Sequence, residues 1–230
     1  MICFCFAMEK EAEPLLKDSK VEKEERSGFA RMLVCSCRGK RFLVLISGIG
    51  KGFACSGLTA AILKHSPSAI INAGVAGTLD GEKAPIMSAV LSSSLVQHDM
   101  DTSILGDPKG FLSGIEKVLL PADPGLRALL AKACAGAGVA CTEGLISSGD
   151  TFLANGSPGK EEVIASFHPL VVDMESACFA QVAYVYNIPF CSLRLISDFR
   201  HPETEYGENV GGCCVRIGRI LETLLEENTL

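Results

Sequence analysis

Short apolar runs of strand length alternate along this chain with segments that carry an apolar residue every three or four positions, the rhythm of an α/β protein. Residues 2–6 are continuously apolar, as expected of a strand buried on both faces. A helix follows from Met8, and its core-facing stripe takes Met8, Glu11, Ala12, Leu15 and Leu16. Glu11 therefore falls on the apolar face, whereas Glu9, Lys10 and Glu13 fall off it. Residues 17–28 are charged and read as a solvated connection. Residues 29–37 and 41–46 read as two strands joined at Gly39. Then come Ser47-Gly48-Ile49-Gly50-Lys51-Gly52, a helix over about 53–65, and a buried strand over 69–73 that ends in a glycine-rich turn, Gly74-Val75-Ala76-Gly77. Residues 85–97 read as strand, 126–135 as a helix stopped by Gly136, and 140–147 as strand. After a polar turn, 160–167 is a short helix. A polar loop over 204–209 and a final helix over 210–226 close the chain.

The stretch 171–200 organises the rest. It reads as a strand ending at Asp173, a helix from Met174 to about Asn187 broken by Pro189, and a second strand over 190–197. That order implies two parallel strands in one sheet. Ligands on such sheets bind at the carboxyl ends of the strands, here Met174 and Glu175 after the first strand and Asp198 after the second. Alternation places Ser192, Arg194, Ile196 and Asp198 on one face. An arginine in a buried strand requires acceptors or an anion, so these residues form either a binding crevice or a buried ion-pair network. Glu11, in the first turn of a helix at a sheet rim, is either a dipole-complementing acid or a half-buried general base whose pKa desolvation raises.

Other motifs carry weaker signals. The glycines at 48, 50 and 52 fit neither a dinucleotide nor a Walker loop and point to a tight turn. In His98-Asp99-Met100-Asp101 a histidine and two acids suggest a metal, and Asp99 and Asp101 would share a face if extended, but no third ligand is evident beside them. Phe152, beside Leu153 at a strand end, is placed to stack on a flat ligand or to edge the core.

With 230 residues, 48% hydrophobic and 21% charged, the chain is expected to form one domain over 1–230 with a sizeable core. A net charge of −6 without a basic run argues against nucleic acid or an anionic membrane as partner. The N-terminal segment has no positive leader, and its apolar run is too short for a signal peptide or a membrane span. The eleven cysteines show no metal spacing and read as small buried hydrophobes in a reducing cytoplasm.

Six motifs, in order and spanning nearly the whole chain, together resemble the nucleoside phosphorylase and hydrolase family, most closely the branch of 5′-methylthioadenosine/S-adenosylhomocysteine nucleosidases. They are Ala7-Met8-Glu9-Lys10-Glu11, Ser47-Gly48-Ile49-Gly50-Lys51, Asn72-Ala73-Gly74-Val75-Ala76-Gly77, Ser148-Gly149-Asp150-Thr151-Phe152, Val172-Asp173-Met174-Glu175 and Arg194-Leu195-Ile196-Ser197-Asp198. The resemblance implies a single-domain, three-layer α/β fold with a central mixed, partly barrel-like sheet flanked by helices. It implies a homodimer that hydrolyses the N-glycosidic bond of an adenine nucleoside with no metal or organic cofactor. Asp198 would be the general acid, protonating adenine N7, and Glu11 the base activating water. Glu175, helped by the Met174 backbone, would hold the ribose hydroxyls. Phe152 would stack on the purine and the Leu153 backbone would read its edge. Met8 and Ile49 would line the 5′ pocket, and Arg194 would lie under the ribose. Val75, Ala76, Gly77 and Ser197 would complete the substrate wall. The family's water-side serine falls at Val75, which has no hydroxyl to donate.

Three rivals remain. A purine nucleoside phosphorylase of the same fold would carry a Gly-Asp-Pro-x-Arg phosphate loop soon after the first strand; here that place holds Ala7-Met8-Glu9, and the only Gly-Asp-Pro is at Gly106 to Pro108. A hydrolase of another adenine nucleoside, such as aminofutalosine or 5′-deoxyadenosine, would use the same adenine and ribose residues. A nucleoside-binding module would not need both Glu11 and Asp198.

Overall fold

The computed structural model describes residues 1–154, 157 and 159–226. Residues 155, 156 and 158 of the expected polar turn lie outside them. The buried strand β1 (Ile2–Phe6) runs into helix α1 (Glu9–Lys17), which turns Ala12 and Leu15 into the core together with Glu11. The meander β2 (Lys20–Ser27), β3 (Ala30–Cys37) and β4 (Lys40–Ile46) follows, with the β3–β4 hairpin turned by Arg38 and Gly39, both at positive φ. Helix α2 (Lys51–His65) leads to the ten-residue strand β5 (Ala69–Thr78). Next come β6 (Ala89–Gln97), the short β7 (Leu120–Pro121), α3 (Pro124–Gly136) and β8 (Cys141–Ser148). The chain closes with α4 (Lys160–Phe167), β9 (Val171–Asp173), α5 (Ser176–Val185), β10 (Phe190–Asp198) and α6 (Pro202–Glu226).

One mixed sheet holds all ten strands. Strands β5, β10, β6, β8 and β9 close into a ring, which removes free edges from that half of the sheet. From β5 the sheet runs outward through β1, β4, β3 and β2. The expected mixed, partly barrel-like sheet flanked by helices is thus the observed one.

β5 belongs to both halves, and this sets where a cavity forms. One of its edges pairs with β10 from Ile70 to Gly77. The other edge is shared in sequence. β1 pairs with Ala69 to Asn72, and β9 pairs with Gly77 and Thr78. Between them, Ala73, Gly74, Val75 and Ala76 have no strand partner on that edge among the described residues. A sheet that splits in this way opens a crevice at the split.

The structure departs from expectation at several points. Gly74 to Gly77 is not a turn; the strand continues to Thr78, and the glycines serve neighbouring side chains, as the site geometry makes plain. Residues 20–27 are an edge strand, not a connection. Their charges lie on both faces, which hides the period-two signal, and charge on an edge strand discourages pairing with another chain. β6 begins at Ala89 rather than at 85. The supposed loop over 204–209 is helical, because α6 starts at Pro202; its polar residues occupy exposed first turns. β9 and β10 are not parallel neighbours. β10 runs parallel to β5 and β9 runs antiparallel to it, on opposite edges. The strand-helix-strand pattern does not carry the information that β9 has only three residues and joins the ring from the far side.

Nine of the eleven cysteines are buried and all are unpaired, as expected of small apolar side chains. No helix among the described residues is long and apolar enough to cross a membrane.

Helix α6 packs closely on α1 at Gly218, where an added Cβ would lie 2.6 Å from Pro14 Cβ and 3.3 Å from the Leu15 backbone nitrogen. Alanine is the better helix former by roughly 1 kcal/mol, but overpacking against backbone costs about 1–3 kcal/mol. Gly218→Ala is therefore expected to lower the thermal midpoint by a few degrees. An equal or higher midpoint in a melting experiment would mean that the two helices can separate freely.

Candidate active site

The crevice at the split edge of β5 is a cavity of about 260 Å³. Ala7 and Met8 between β1 and α1, and Glu11 on α1, form one wall. Val75, Ala76 and Gly77 of β5 form the floor. Thr151, Phe152 and Leu153 after β8, Asp173 at the end of β9 with Met174 and Glu175 just beyond it, and Ser197 and Asp198 at the end of β10 form the rest, together with Ile49 and Tyr206.

Glu11 fills the gap in the sheet. Its Oε1 accepts the Val75 N–H at 3.0 Å, one of the amides that no strand meets. Its Oε2 accepts the amides of Ala7 at 3.1 Å and Met8 at 3.0 Å. The side chain is 1% exposed. Burial pushes its pKa up, while the Arg194 charge and the three amides act against that rise. The result is a carboxylate fixed in place that takes up a proton more readily than an exposed glutamate. Of the two readings offered by the sequence, Glu11 does cap its own helix; it also faces the cavity, buried rather than half-buried.

Gly74 makes this possible. A Cβ there would lie 2.6 Å from Glu11 Oε1, and still closer to the Arg194 guanidinium. Gly77 does the same for Asp198, whose Oδ2 lies 2.7 Å from the position a Cβ would take. The two glycines are required by close approach within the strand.

Asp198 ends β10 beside an irregularity in register with β5, between Ile196 and Asp198. This bulge brings both Ser197 and Asp198 to the cavity, whereas simple alternation would have shown only one of them. Burial raises the Asp198 pKa, the hydrogen bond from the Ser197 hydroxyl lowers it, and the Glu205 charge raises it further.

Arg194 does not reach the cavity wall. It is 1% exposed, and its Nε pairs with Asp173 at 2.7 Å and donates to Ser176 Oγ at 3.0 Å. Its Nη2 donates to Asn72 Oδ1 at 2.7 Å and stands 4.0 Å from Glu175. Ser176, Ser192 and Asn72 are hydrogen-bonded to one another around it. The arginine is thus a buried tie between β10, β5 and the β9–α5 junction. The sequence places it correctly on one face with Ser192 but does not identify Asp173 as its main partner. An acid at a strand end, with an arginine in a nearby strand, is the available signal.

Glu175 is 5% exposed, and its Oε1 accepts the Gly50 N–H at 2.8 Å. Burial pushes its carboxyl up to about 7, the Asp173 charge adds to this, and Arg194 and the Gly50 amide oppose it. The next amide, Lys51 N–H, goes to Asp150 at 2.8 Å. The positive end of α2 therefore faces two of the protein's own carboxylates instead of a phosphate. Asp99 receives Lys51 Nζ at 2.6 Å and the Asp150 amide at 2.9 Å, which gives His98-Asp99-Met100-Asp101 a structural use.

Of the residues the sequence singles out, Met8, Glu11, Ile49, Val75, Ala76, Gly77, Phe152, Leu153, Met174, Glu175, Ser197 and Asp198 all line the cavity. Phe152 is 51% exposed and meets Tyr206 edge-on, with centroids 6.2 Å apart. Sequence reasoning misses Tyr206. An aromatic within an otherwise polar stretch is its signal, obscured because residues 204–209 read as a loop.

Fold and cavity together define an α/β enzyme whose site opens at a switch point of its sheet. The sequence profile of the phosphorylase superfamily matches residues 1–226, and the chain belongs to that superfamily. It is 35% identical over 207 residues to a 5′-methylthioadenosine/S-adenosylhomocysteine nucleosidase of Listeria innocua, covering 86% of this chain and 85% of the relative. It is 33% identical over 193 residues to the nucleosidase of the same description from Actinobacillus succinogenes, covering 84% and 83%. An inhibitor complex of the Helicobacter pylori 5′-methylthioadenosine/S-adenosyl homocysteine nucleosidase superposes with a TM-score of 0.90 at 29% identity, covering 98% of this chain and 97% of that one. The futalosine hydrolase of Helicobacter pylori gives the same TM-score and coverage at 27% identity. The chain is accordingly an enzyme that cleaves N-glycosidic bonds.

The raised Glu175 pKa has a consequence for stability. An acid that titrates near 7 when folded and near 4.5 when unfolded binds more protons in the native state between those values. The stability that Glu175 contributes is therefore full below the lower value and is lost as pH rises through that window. Glu175→Gln should make the fall shallower by up to roughly 1.4 kcal/mol per pH unit. Denaturant titrations at pH 4.5, 5.75 and 7 check this; parallel curves for the two proteins would refute it.

Proposed function

We propose that this enzyme hydrolyses the N-glycosidic bond of adenine nucleosides with a 5′-thio substituent, 5′-methylthioadenosine and S-adenosylhomocysteine, releasing adenine and the 5-thio-substituted ribose. One observation carries the choice of water over phosphate. The charged residues on the cavity wall are Glu11, Asp173, Glu175 and Asp198, all acids, and no lysine, arginine or histidine joins them among the described residues. A phosphate dianion entering that wall would meet repulsion and find no cation. A sugar developing positive charge would meet complementary charge.

Water attacks C1′ and gives its proton to Glu11, whose raised pKa suits it to accept one. The C1′–N9 bond breaks and its electron pair leaves with the adenine. Asp198 gives a proton to adenine N7, which its raised pKa allows it to hold. Glu175 holds the ribose hydroxyls. Phe152 stacks on the purine and the Leu153 backbone meets its edge. Met8 and Ile49 line the 5′ side. Arg194 acts from behind the wall by fixing Asp173 and, with it, the turn that carries Glu175. Val75 supplies its backbone N–H to Glu11 where a side-chain hydroxyl would otherwise meet the water.

The likeness to a futalosine hydrolase favours a second reading at the 5′ end only: the same adenine and ribose machinery acting on a nucleoside with a different 5′ group.

Adenine release from 5′-methylthioadenosine is expected in phosphate-free buffer, with free thio-ribose as product; release only with phosphate, as a sugar 1-phosphate, would overturn the hydrolase reading. Glu11→Gln is expected to bind substrate but lose about 10²- to 10⁴-fold in kcat, and wild-type kcat would remove Glu11 from the reaction. Asp198→Asn should lose a comparable factor together with the high-pH limb of the kcat profile. Full activity with an unchanged profile would reassign the acid.

A further inference from the structure

Lys10 is held against a residue of the cavity wall, Tyr206, and has no acidic partner among the described residues. Its Nζ donates to the Tyr206 hydroxyl at 2.7 Å and lies 4.6 Å from the centroid of the Tyr206 ring. Among the described residues no carboxylate lies within ion-pair distance of it. Its neighbours on α1 differ: Glu9 is paired with Arg31, and Glu11 is buried in the sheet gap. Tyr206 itself lines the cavity. Its hydroxyl is 3.7 Å from Met8 Sδ and its ring meets Phe152. The ammonium is therefore held by a residue that forms the cavity wall, on the side where Met8 lies. Among the described residues the charged groups of the wall behind it are all acidic, so an anionic group is met favourably beside the Lys10 ammonium.

We propose that the Lys10–Tyr206 pair is a specificity device that recognises a carboxylate at the end of the 5′ substituent, selecting adenine nucleosides with an extended, carboxylate-terminated tail over those with a small neutral one. This rests on the hydrolase reading above, in which Met8 and Ile49 bound the 5′ side. The purine and ribose occupy the acidic part of the cavity, and the tail leaves past Met8 toward Tyr206. There the carboxylate replaces the tyrosine hydroxyl as acceptor of the Lys10 hydrogen bond, or shares the ammonium with it, since lysine has three donors. The pair is partly exposed, so its effect is that of a rim charge: modest in size, sensitive to salt, and expressed in binding more than in turnover.

Three probes distinguish the sources of the effect: 5′-methylthioadenosine, with a neutral tail; S-adenosylhomocysteine, with carboxylate and ammonium; and 5′-(2-carboxyethyl)thioadenosine, with carboxylate alone. Adenine release and calorimetric Kd are measured for each with wild type, Lys10→Met, Lys10→Arg and Tyr206→Phe. In Lys10→Met, the preference for the carboxyethyl compound over the methylthio compound, as kcat/KM, is expected to fall by roughly three- to fivefold. The change should appear in KM, diminish at high salt, and be restored in Lys10→Arg. A comparable loss for S-adenosylhomocysteine assigns recognition to the carboxylate itself; a loss for the carboxyethyl compound alone shows that the tail's ammonium offsets it. Equal changes for all three probes, or none for either carboxylate, would overturn the proposal. Absence of adenine release by wild type from every probe would defeat the hydrolase reading instead, and the Kd ratios would still decide the role of Lys10.

Discussion

Where β1 leaves β5 at Asn72 and β9 joins it at Gly77, four residues of a central strand must satisfy their backbone without a neighbouring strand on that side. A buried amide without a partner is costly. The chain meets the requirement at Val75 with a carboxylate from the helix that follows β1. That choice determines much else. A carboxylate in the gap has to be accommodated beneath, so position 74 is glycine. Its charge has to be opposed from within the protein, so an arginine comes in from β10. The arginine in turn needs an acid, a serine and an amide to receive its own donors. A break in a sheet edge thus becomes a cavity with a fixed acid in its wall.

The Arg194–Asp173 pair also shows why stability and reactivity are separate matters here. A fully buried ion pair adds little net stability compared with apolar packing, yet removal of one partner is severe because the other is left buried and charged. Its value lies in position. It joins β10 to the β9–α5 junction, so that residues from two strands on opposite edges of β5 keep one spacing. Glu175 and Asp198, both with raised pKa values, depend on that spacing without directly bonding each other.

Much of this is legible in the sequence, and what is not has physical causes. The apolar runs locate most strands to within a few residues, because buried strands are mostly apolar. The position of Glu11 on an apolar stripe marks it as unusual from helical periodicity alone. Position 194 is legible because a charged residue interrupts an apolar run of strand length. By contrast, β2 is hidden because an edge strand can carry charge on both faces. Gly74 and Gly77 read as a turn because a glycine that makes room for a neighbour looks, in one dimension, like a glycine that bends the chain. The bulge at Ser197 and the antiparallel course of β9 depend on pairing with distant segments, which local pattern does not encode. Tyr206 escapes notice because the polar first turns of its helix resemble a loop.

The start of α6 is tethered in an uncommon way. Glu205 Oε2 accepts the amides of Phe199, Arg200 and His201 at 2.7, 3.0 and 3.1 Å, and Asn209 Nδ2 donates back to the Ser197 carbonyl at 3.0 Å. The segment that presents Tyr206 is therefore clipped to the end of β10 by its own local bonds, whereas Glu11, Glu175 and Asp198 are seated in the sheet and its immediate junctions. On the proposed reading, Tyr206, one half of the tail-reading pair, sits in this clipped segment, while the carboxylates assigned to proton transfer sit in the sheet and its junctions. On that reading, a change at Tyr206 alone alters the tails accepted while Glu205 and Asn209 keep the clip, and with it the end of β10, in place.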